Sequence, residues 1–126
     1  MKDASILVVE DDGIIALRSM ELLSRQGYDV PSPLASGEET LDYLETSPRP
    51  DLILMDIGLM GRMDGIETAR QVRSRYGIPV IFLSAYSNEQ RIAEAKEISP
   101  YGYLIKPFVE QQLLAVVRDA LLACEE

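Results

Sequence analysis

Four short apolar runs in this chain each lead to a polar side chain with chemical capacity. Glu10 and Asp11 follow Ile6-Leu7-Val8-Val9, Asp56 follows Leu52-Ile53-Leu54-Met55, Ser84 follows Val80-Ile81-Phe82-Leu83, and Lys106 follows Tyr103-Leu104-Ile105. In an open parallel sheet, sites form just beyond the carboxyl ends of the strands, so acids delivered there are placed for chemistry. Carboxylates brought close together raise one another's pKa unless a counter-charge is present. A hard divalent cation is such a counter-charge, and magnesium favours a few carboxylates plus water and phosphate oxygens. A carboxylate is also a nucleophile that forms an aspartyl phosphate, once cations offset its repulsion from a phosphoryl group of the same sign. The pattern therefore points to Asp56 as the nucleophile, with Glu10 and Asp11 holding Mg²⁺, or Mn²⁺ as an alternative. Lys106 is then the second cation, and the Ser84 hydroxyl donates a hydrogen bond to a phosphoryl oxygen.

Each residue alone has a plainer reading. Acids in Glu10-Asp11-Asp12 suit a helix N-terminus, and Asp12 is assigned to that capping role. Asp56 alone could be a turn residue satisfying local amides. Lys106 alone could be a solvated lysine, and Ser84 alone could cap or face water. Tyr103 reads on its own as a core or half-exposed aromatic. What separates the chemical reading from these is coincidence, since all four of these apolar runs end in suitable groups.

The elements that must position these groups follow from periodicity. Strands are expected over Ile6–Val9, Tyr28–Pro33, Asp51–Met55, Pro79–Leu83 and Tyr101–Ile105, the second at an edge because of Pro31 and Pro33. Between them come helical stretches. The first has Ile14, Leu17 and Met20 on its apolar face, widened by Leu22 and Leu23, and ends near Gly27. The second opens with the capping-box spacing Ser36-Gly37-Glu38-Glu39 and buries Leu41 and Leu44. Asp64 caps a third that buries Ile66, Ala69 and Val72 and stops at Gly77. A fourth starts at Ser87-Asn88-Glu89-Gln90 and runs to about Ile98 on a thin apolar face, Ile92 and Ala95. The last carries Leu113, Val116, Val117, Ala120 and Leu121. This alternation selects a single α/β domain over residues 1–126: a doubly wound, five-stranded parallel sheet of flavodoxin-like order 2-1-3-4-5, flanked by five helices.

Composition narrows the function classes. The 126 residues carry 21 acids against 12 bases, a formal net charge of −9, which repels a phosphate backbone and argues against nucleic-acid binding. One cysteine, Cys124, excludes an intrachain disulfide and a cysteine zinc cluster, and the absence of histidine removes the commonest general base. No apolar run suits a membrane span or a signal-peptide core, so a cytoplasmic location is expected.

Five motifs in order, Val8-Val9-Glu10-Asp11-Asp12, Leu54-Met55-Asp56, Met63-Asp64-Gly65, Phe82-Leu83-Ser84-Ala85 and Tyr103-Leu104-Ile105-Lys106-Pro107-Phe108, resemble the receiver domains of two-component response regulators. The resemblance runs from about Ser5 to Ala123. It implies that Asp56 is the phosphoacceptor, Glu10 and Asp11 the acidic metal pair, and Gly58 a metal ligand through its backbone carbonyl. It also implies that Ser84 is the switch hydroxyl, Tyr103 the aromatic that turns inward with it, and Lys106 the site lysine, with a cis bond to Pro107. The implied donor is a sensor histidine kinase or phosphotransfer protein, and the reader is a downstream protein of unknown identity. Such a chain is a switch that catalyses its own phosphorylation and dephosphorylation rather than an enzyme acting on other substrates. Its reading surface, and a possible homodimer contact, would be the fourth helix, fifth strand and fifth helix.

Two departures stand out. Met60 occupies a position where many receivers have proline, and Gly61-Arg62 makes the loop one residue longer. Tyr86, two residues past Ser84, could shield an acyl phosphate and slow its hydrolysis. Three other readings are weaker. A haloacid-dehalogenase-type phosphatase needs an acid where Gly58 stands, an FMN-binding flavodoxin needs a neutral loop where Glu10-Asp11-Asp12 stands, and a phosphorylation-independent module has no use for the acid, hydroxyl and lysine set.

Overall fold

A computed structural model of the chain describes residues 4–59, 61–84, 89–98 and 101–124. The expectations placed on Met60, Ala85, Tyr86, Ser87 and Asn88, and on the side chains of Ile92 and Cys124, lie outside what it describes. The elements are β1 (Ile6–Val9), α1 (Gly13–Arg25), α2 (Gly37–Thr46), β2 (Leu52–Asp56), α3 (Gly65–Tyr76), β3 (Val80–Ser84), α4 (Glu89–Ile98), β4 (Tyr103–Ile105) and α5 (Glu110–Cys124). The strands form one parallel sheet in the order β1-β2-β3-β4.

The second strand expected over Tyr28–Pro33 is present only as two isolated parallel bridges beside β1, Ser5 with Asp29 and Val9 with Leu34. The backbone exchanges hydrogen bonds at both points: Asp29 N donates to Ala4 O and Ile6 N to Asp29 O, while Leu34 N donates to Val8 O and Glu10 N to Leu34 O. Between them Pro31 and Pro33 have no N–H to donate, so the ladder cannot close along its length. The segment still occupies the edge that the 2-1-3-4-5 order gives it.

Pleating divides the strand side chains between two cores. Leu7, Val9, Ile53, Met55, Val80 and Phe82 pack with Leu44 of α2, Ile66, Ala69 and Val72 of α3, and Ala95 and Ile98 of α4. Ile6, Val8, Leu52, Leu54, Ile81 and Leu83 pack with Ala16, Leu22 and Leu23 of α1 and Leu113, Val117 and Ala120 of α5. All the side chains of β1, β2 and β3 are buried, each large apolar one contributing roughly 1.5–3 kcal/mol. Among the described residues no helix is long and apolar enough to cross a membrane.

Helix ends follow their caps. The Asp12 side chain accepts from Ile14 N and Ile15 N, that of Ser36 from Glu39 N, and that of Asp64 from Glu67 N, while Gly77 ends α3 at φ +68°. The expected face of α1 is corrected. Ile14 is 82% and Leu17 53% exposed, while Ala16, Ser19, Leu22 and Leu23 are buried. The capping geometry of Asp12 sets the helix phase, and at that phase the smaller Ala16 and Ser19 lie against the sheet.

The start of α3 is held against the end of β2. Gly65 N donates to Ile57 O at 2.9 Å, and a Cβ at Gly65 would lie 2.0 Å from the Asp56 carbonyl oxygen and 2.8 Å from Ile57 Cα. Both neighbours are backbone, so a side chain here must separate α3 from the sheet. Gly65→Ala is expected to lower stability by about 1–3 kcal/mol, read as a fall in the urea midpoint; an unchanged midpoint would show that the close approach is not a constraint.

Candidate functional site

The sheet register aligns the strand ends at one edge. Val9 pairs with Met55, so Glu10 and Asp56 emerge side by side; Asp56 pairs with Leu83, and Ser84 with Ile105. Lys106 N then donates to Ser84 O at 2.7 Å, fixing where the lysine leaves the sheet. Asp56 and Ser84 are the last residues of their strands rather than the first beyond them, so ladder pairing holds both. The Lys106–Pro107 peptide bond is cis.

The structure brings four of the expected residues together. Glu10, Asp11 and Asp56 each offer a carboxylate oxygen within 4.8 Å of the others. Lys106 Nζ lies 2.8 Å from Glu10 Oε1 and 3.3 Å from Asp56 Oδ1. Glu10 and Asp56 are buried, whereas Asp11 opens to solvent. Gly58 N donates to Asp56 Oδ1 at 3.2 Å, orienting the carboxylate through the loop that follows. Asp12 N donates similarly to Glu10 Oε2 at 3.2 Å. The plainer reading of Glu10-Asp11-Asp12 as a capping run thus applies to Asp12 alone.

Ser84 is buried at 4% exposure and shares the pleat face of Val80 and Phe82. Tyr103 pairs with Phe82 and packs, half-buried, on that same face with the cluster formed by α2, α3 and α4. It lies one strand over from Ser84 and back from the acidic edge. Two residues that contact the segments flanking the site are not marked out by the sequence. Gly65 sits in a quoted motif with no role assigned, and Glu38 lies unnoticed inside a capping box. The Asp64-Gly65 pair, a cap followed by the smallest residue just after a site loop, was the available signal for the first.

Electrostatics set the character of the cluster. Burial removes the Glu10 carboxyl from water and pushes its pKa up from 4.5 to about 7, and the Asp56 charge adds to the rise; Lys106 and the Asp12 amide offset only part of it. Burial pulls the Lys106 ammonium down, but Glu10 and Asp56 together outweigh it and its pKa is raised. Glu10 Oε1 is fully buried and faces the Lys106 ammonium at 2.8 Å; a carboxylate oxygen has a second lone pair and can accept a further contact. Three carboxylates against one ammonium leave a fully ionised cluster two negative charges in excess. An all-oxygen donor set with that excess fits a hard divalent cation.

The response regulator receiver domain model matches residues 6–118. The chain belongs to that family. As a receiver it is 30% identical over 116 residues, 92% of its length, to the transcriptional regulatory protein PdtaR of Mycobacterium tuberculosis, and spans 56% of that relative. Among solved structures it resembles the N-terminal domain of a response regulator/sensory box/GGDEF 3-domain protein from Carboxydothermus hydrogenoformans, at 35% identity and TM-score 0.86, covering 96% of each chain. It also resembles a CheY-like receiver domain protein from Methanospirillum hungatei, at 27% identity and TM-score 0.88, covering 98% of this receiver and 97% of the other. A receiver domain is a signalling switch of two-component systems, and the flavodoxin-like α/β architecture is the one read from the alternation of elements.

The raised Glu10 pKa has a consequence for stability. Between pH 4.5 and about 7 the folded receiver holds a proton that the unfolded chain has released, so the contribution of this group is full below about pH 4.5 and is lost as pH rises toward 7. In metal-free buffer, Glu10→Gln is expected to flatten the decline of the melting temperature across that window and to leave the variant more stable than wild type at pH 7.5. Parallel pH profiles for the two proteins would contradict the assignment.

Proposed function

We propose that this receiver accepts a phosphoryl group on Asp56 from the phosphohistidine of a sensor kinase or phosphotransfer protein and signals the change through a partner-binding surface. The observation that carries the proposal is the convergence of Lys106 on both Glu10 and Asp56 at one strand edge, with Asp11 beside them. In this reading Glu10, Asp11, Asp56 and the Gly58 carbonyl hold Mg²⁺, which offsets the repulsion between carboxylate and phosphoryl oxygens. Asp56 attacks phosphorus, forming the acyl phosphate bond as the bond from phosphorus to the donor nitrogen breaks. The Gly58 amide keeps the carboxylate oriented for that attack. Lys106, already paired with Asp56, moves its charge onto the phosphoryl oxygens as they arrive.

Ser84 donates its hydroxyl hydrogen to a phosphoryl oxygen, drawing the end of β3 toward the site, and Tyr103 follows because both occupy one pleat face. The readout surface is α4, β4 and α5. Of the described α4 side chains only Ala95 and Ile98 are buried, so little apolar area resists a shift, while the Arg73 guanidinium of α3 tethers the helix end through Ile98 O. Ile105, Val109 and Leu122 are exposed apolar groups available to a downstream partner or a second copy.

Intact-mass measurement after incubation with acetyl phosphate tests the proposal. Wild type is expected to gain one phosphoryl group of about 80 Da, the PO₃H that an aspartyl phosphate adds, only with Mg²⁺, and Asp56→Asn none. A wild-type chain that never gains the adduct, or an Asn variant that gains it equally, would falsify the assignment.

A further inference from the structure

The loop joining β2 to α3 carries Gly58, and beyond it Gly61 and Arg62. It is tied to a helix remote in sequence. Arg62 N donates to Glu38 Oε2 at 2.9 Å, across 24 residues. Gly61 adopts φ +109°, and a Cβ there would lie 3.0 Å from Glu38 Oε1. That left-handed turn lets the carboxylate sit against the loop backbone. The amides of Glu38 itself and of Arg62, with a smaller contribution from Met63, hold the Glu38 carboxyl below its usual range.

The first turn of α2 is built to present this side chain. Glu39 reaches back to Ala35 N at 2.9 Å while Ser36 Oγ accepts from Glu39 N at 3.1 Å, so the capping box uses Glu39 and leaves Glu38 to face the loop. Gly37 is buried against α3, where a Cβ would lie 2.0 Å from Thr68 Oγ1. Thr68 Oγ1 in turn donates to Asp64 O at 2.8 Å. The start of α2 is thereby locked to the start of α3, and Glu38 spans from that junction to the loop between Asp56 and Asp64.

We propose that Glu38 is a positioning residue for the metal and phosphoryl site, its carboxylate holding the Gly61–Arg62 turn to α2 and so setting the loop that presents Gly58 to Asp56. This inference rests on the proposed function, since the loop matters only if Gly58 and Asp56 share a cation.

Calorimetric Mg²⁺ titration of Glu38→Ala, Glu38→Gln and Glu39→Ala, with amide exchange at Arg62, provides the test. Glu38→Ala is expected to speed Arg62 exchange and weaken Mg²⁺ binding by about tenfold, as loss of a supporting contact does. Glu38→Gln keeps an acceptor oxygen and is expected to recover most of both. Glu39→Ala weakens the same helix start without touching the loop and is expected to leave Mg²⁺ affinity unchanged. Unaltered affinity in Glu38→Ala, or equal losses in Glu38→Ala and Glu39→Ala, overturns the positioning role while leaving the proposed function intact. No Mg²⁺ binding by wild type overturns both.

Discussion

A carboxylate buried at the end of an apolar strand has lost its water, and the contact between Lys106 and Glu10 with Asp56 is what makes two such groups tolerable. The ammonium reaches both acids from a third element, at 2.8 Å and 3.3 Å. Removing the ammonium from such a cluster leaves buried carboxylates without a counter-charge, which is strongly destabilising. Everything around it serves that placement. The sheet register sets Glu10 beside Asp56, the Ser84 carbonyl receives the Lys106 amide, and Gly65 lets α3 close over the end of β2.

The same contact leaves the site poised rather than satisfied. Lys106 neutralises part of the acidic charge, the raised Glu10 pKa absorbs more, and a buried Glu10 oxygen keeps acceptor capacity. A divalent cation held by Glu10, Asp11 and Asp56 would favour the ionised form of Glu10, so its binding would be coupled to loss of the Glu10 proton. Lys106 would then stand within reach of a phosphoryl group on Asp56.

Much of this was legible in the sequence because it depends on local pattern. Apolar runs ending in Glu10, Asp56, Ser84 and Lys106 are short-range signals, and the topology of alternating elements brings their ends to one edge. Asp12, Ser36 and Asp64 cap as their spacing indicates. The face of α1 was not legible, because Ile14 and Leu17 satisfy an amphipathic spacing while the structure buries Ala16 and Ser19 instead. The edge segment at Tyr28–Pro33 was placed correctly but lacks a continuous ladder, since two prolines remove the donors it needs. Glu38 and Gly65 act through partners that only the fold brings near. The Ser36-Gly37-Glu38-Glu39 box assigns Glu39 to the cap, but nothing in it indicates that Glu38 reaches a loop 24 residues away.

If the Glu10, Asp11 and Asp56 carboxylates share one cation site, Lys106 is a competing charge within it. Calorimetric comparison of Mg²⁺ binding by wild type, Asp11→Asn and Lys106→Met tests this arrangement, because the two substitutions should act with opposite signs. Wild type should bind one Mg²⁺, loss of the Asp11 carboxylate should weaken binding, and loss of the Lys106 ammonium should strengthen it. Weaker binding in Lys106→Met, or affinity indifferent to Asp11, would show that these groups do not form a shared cation site.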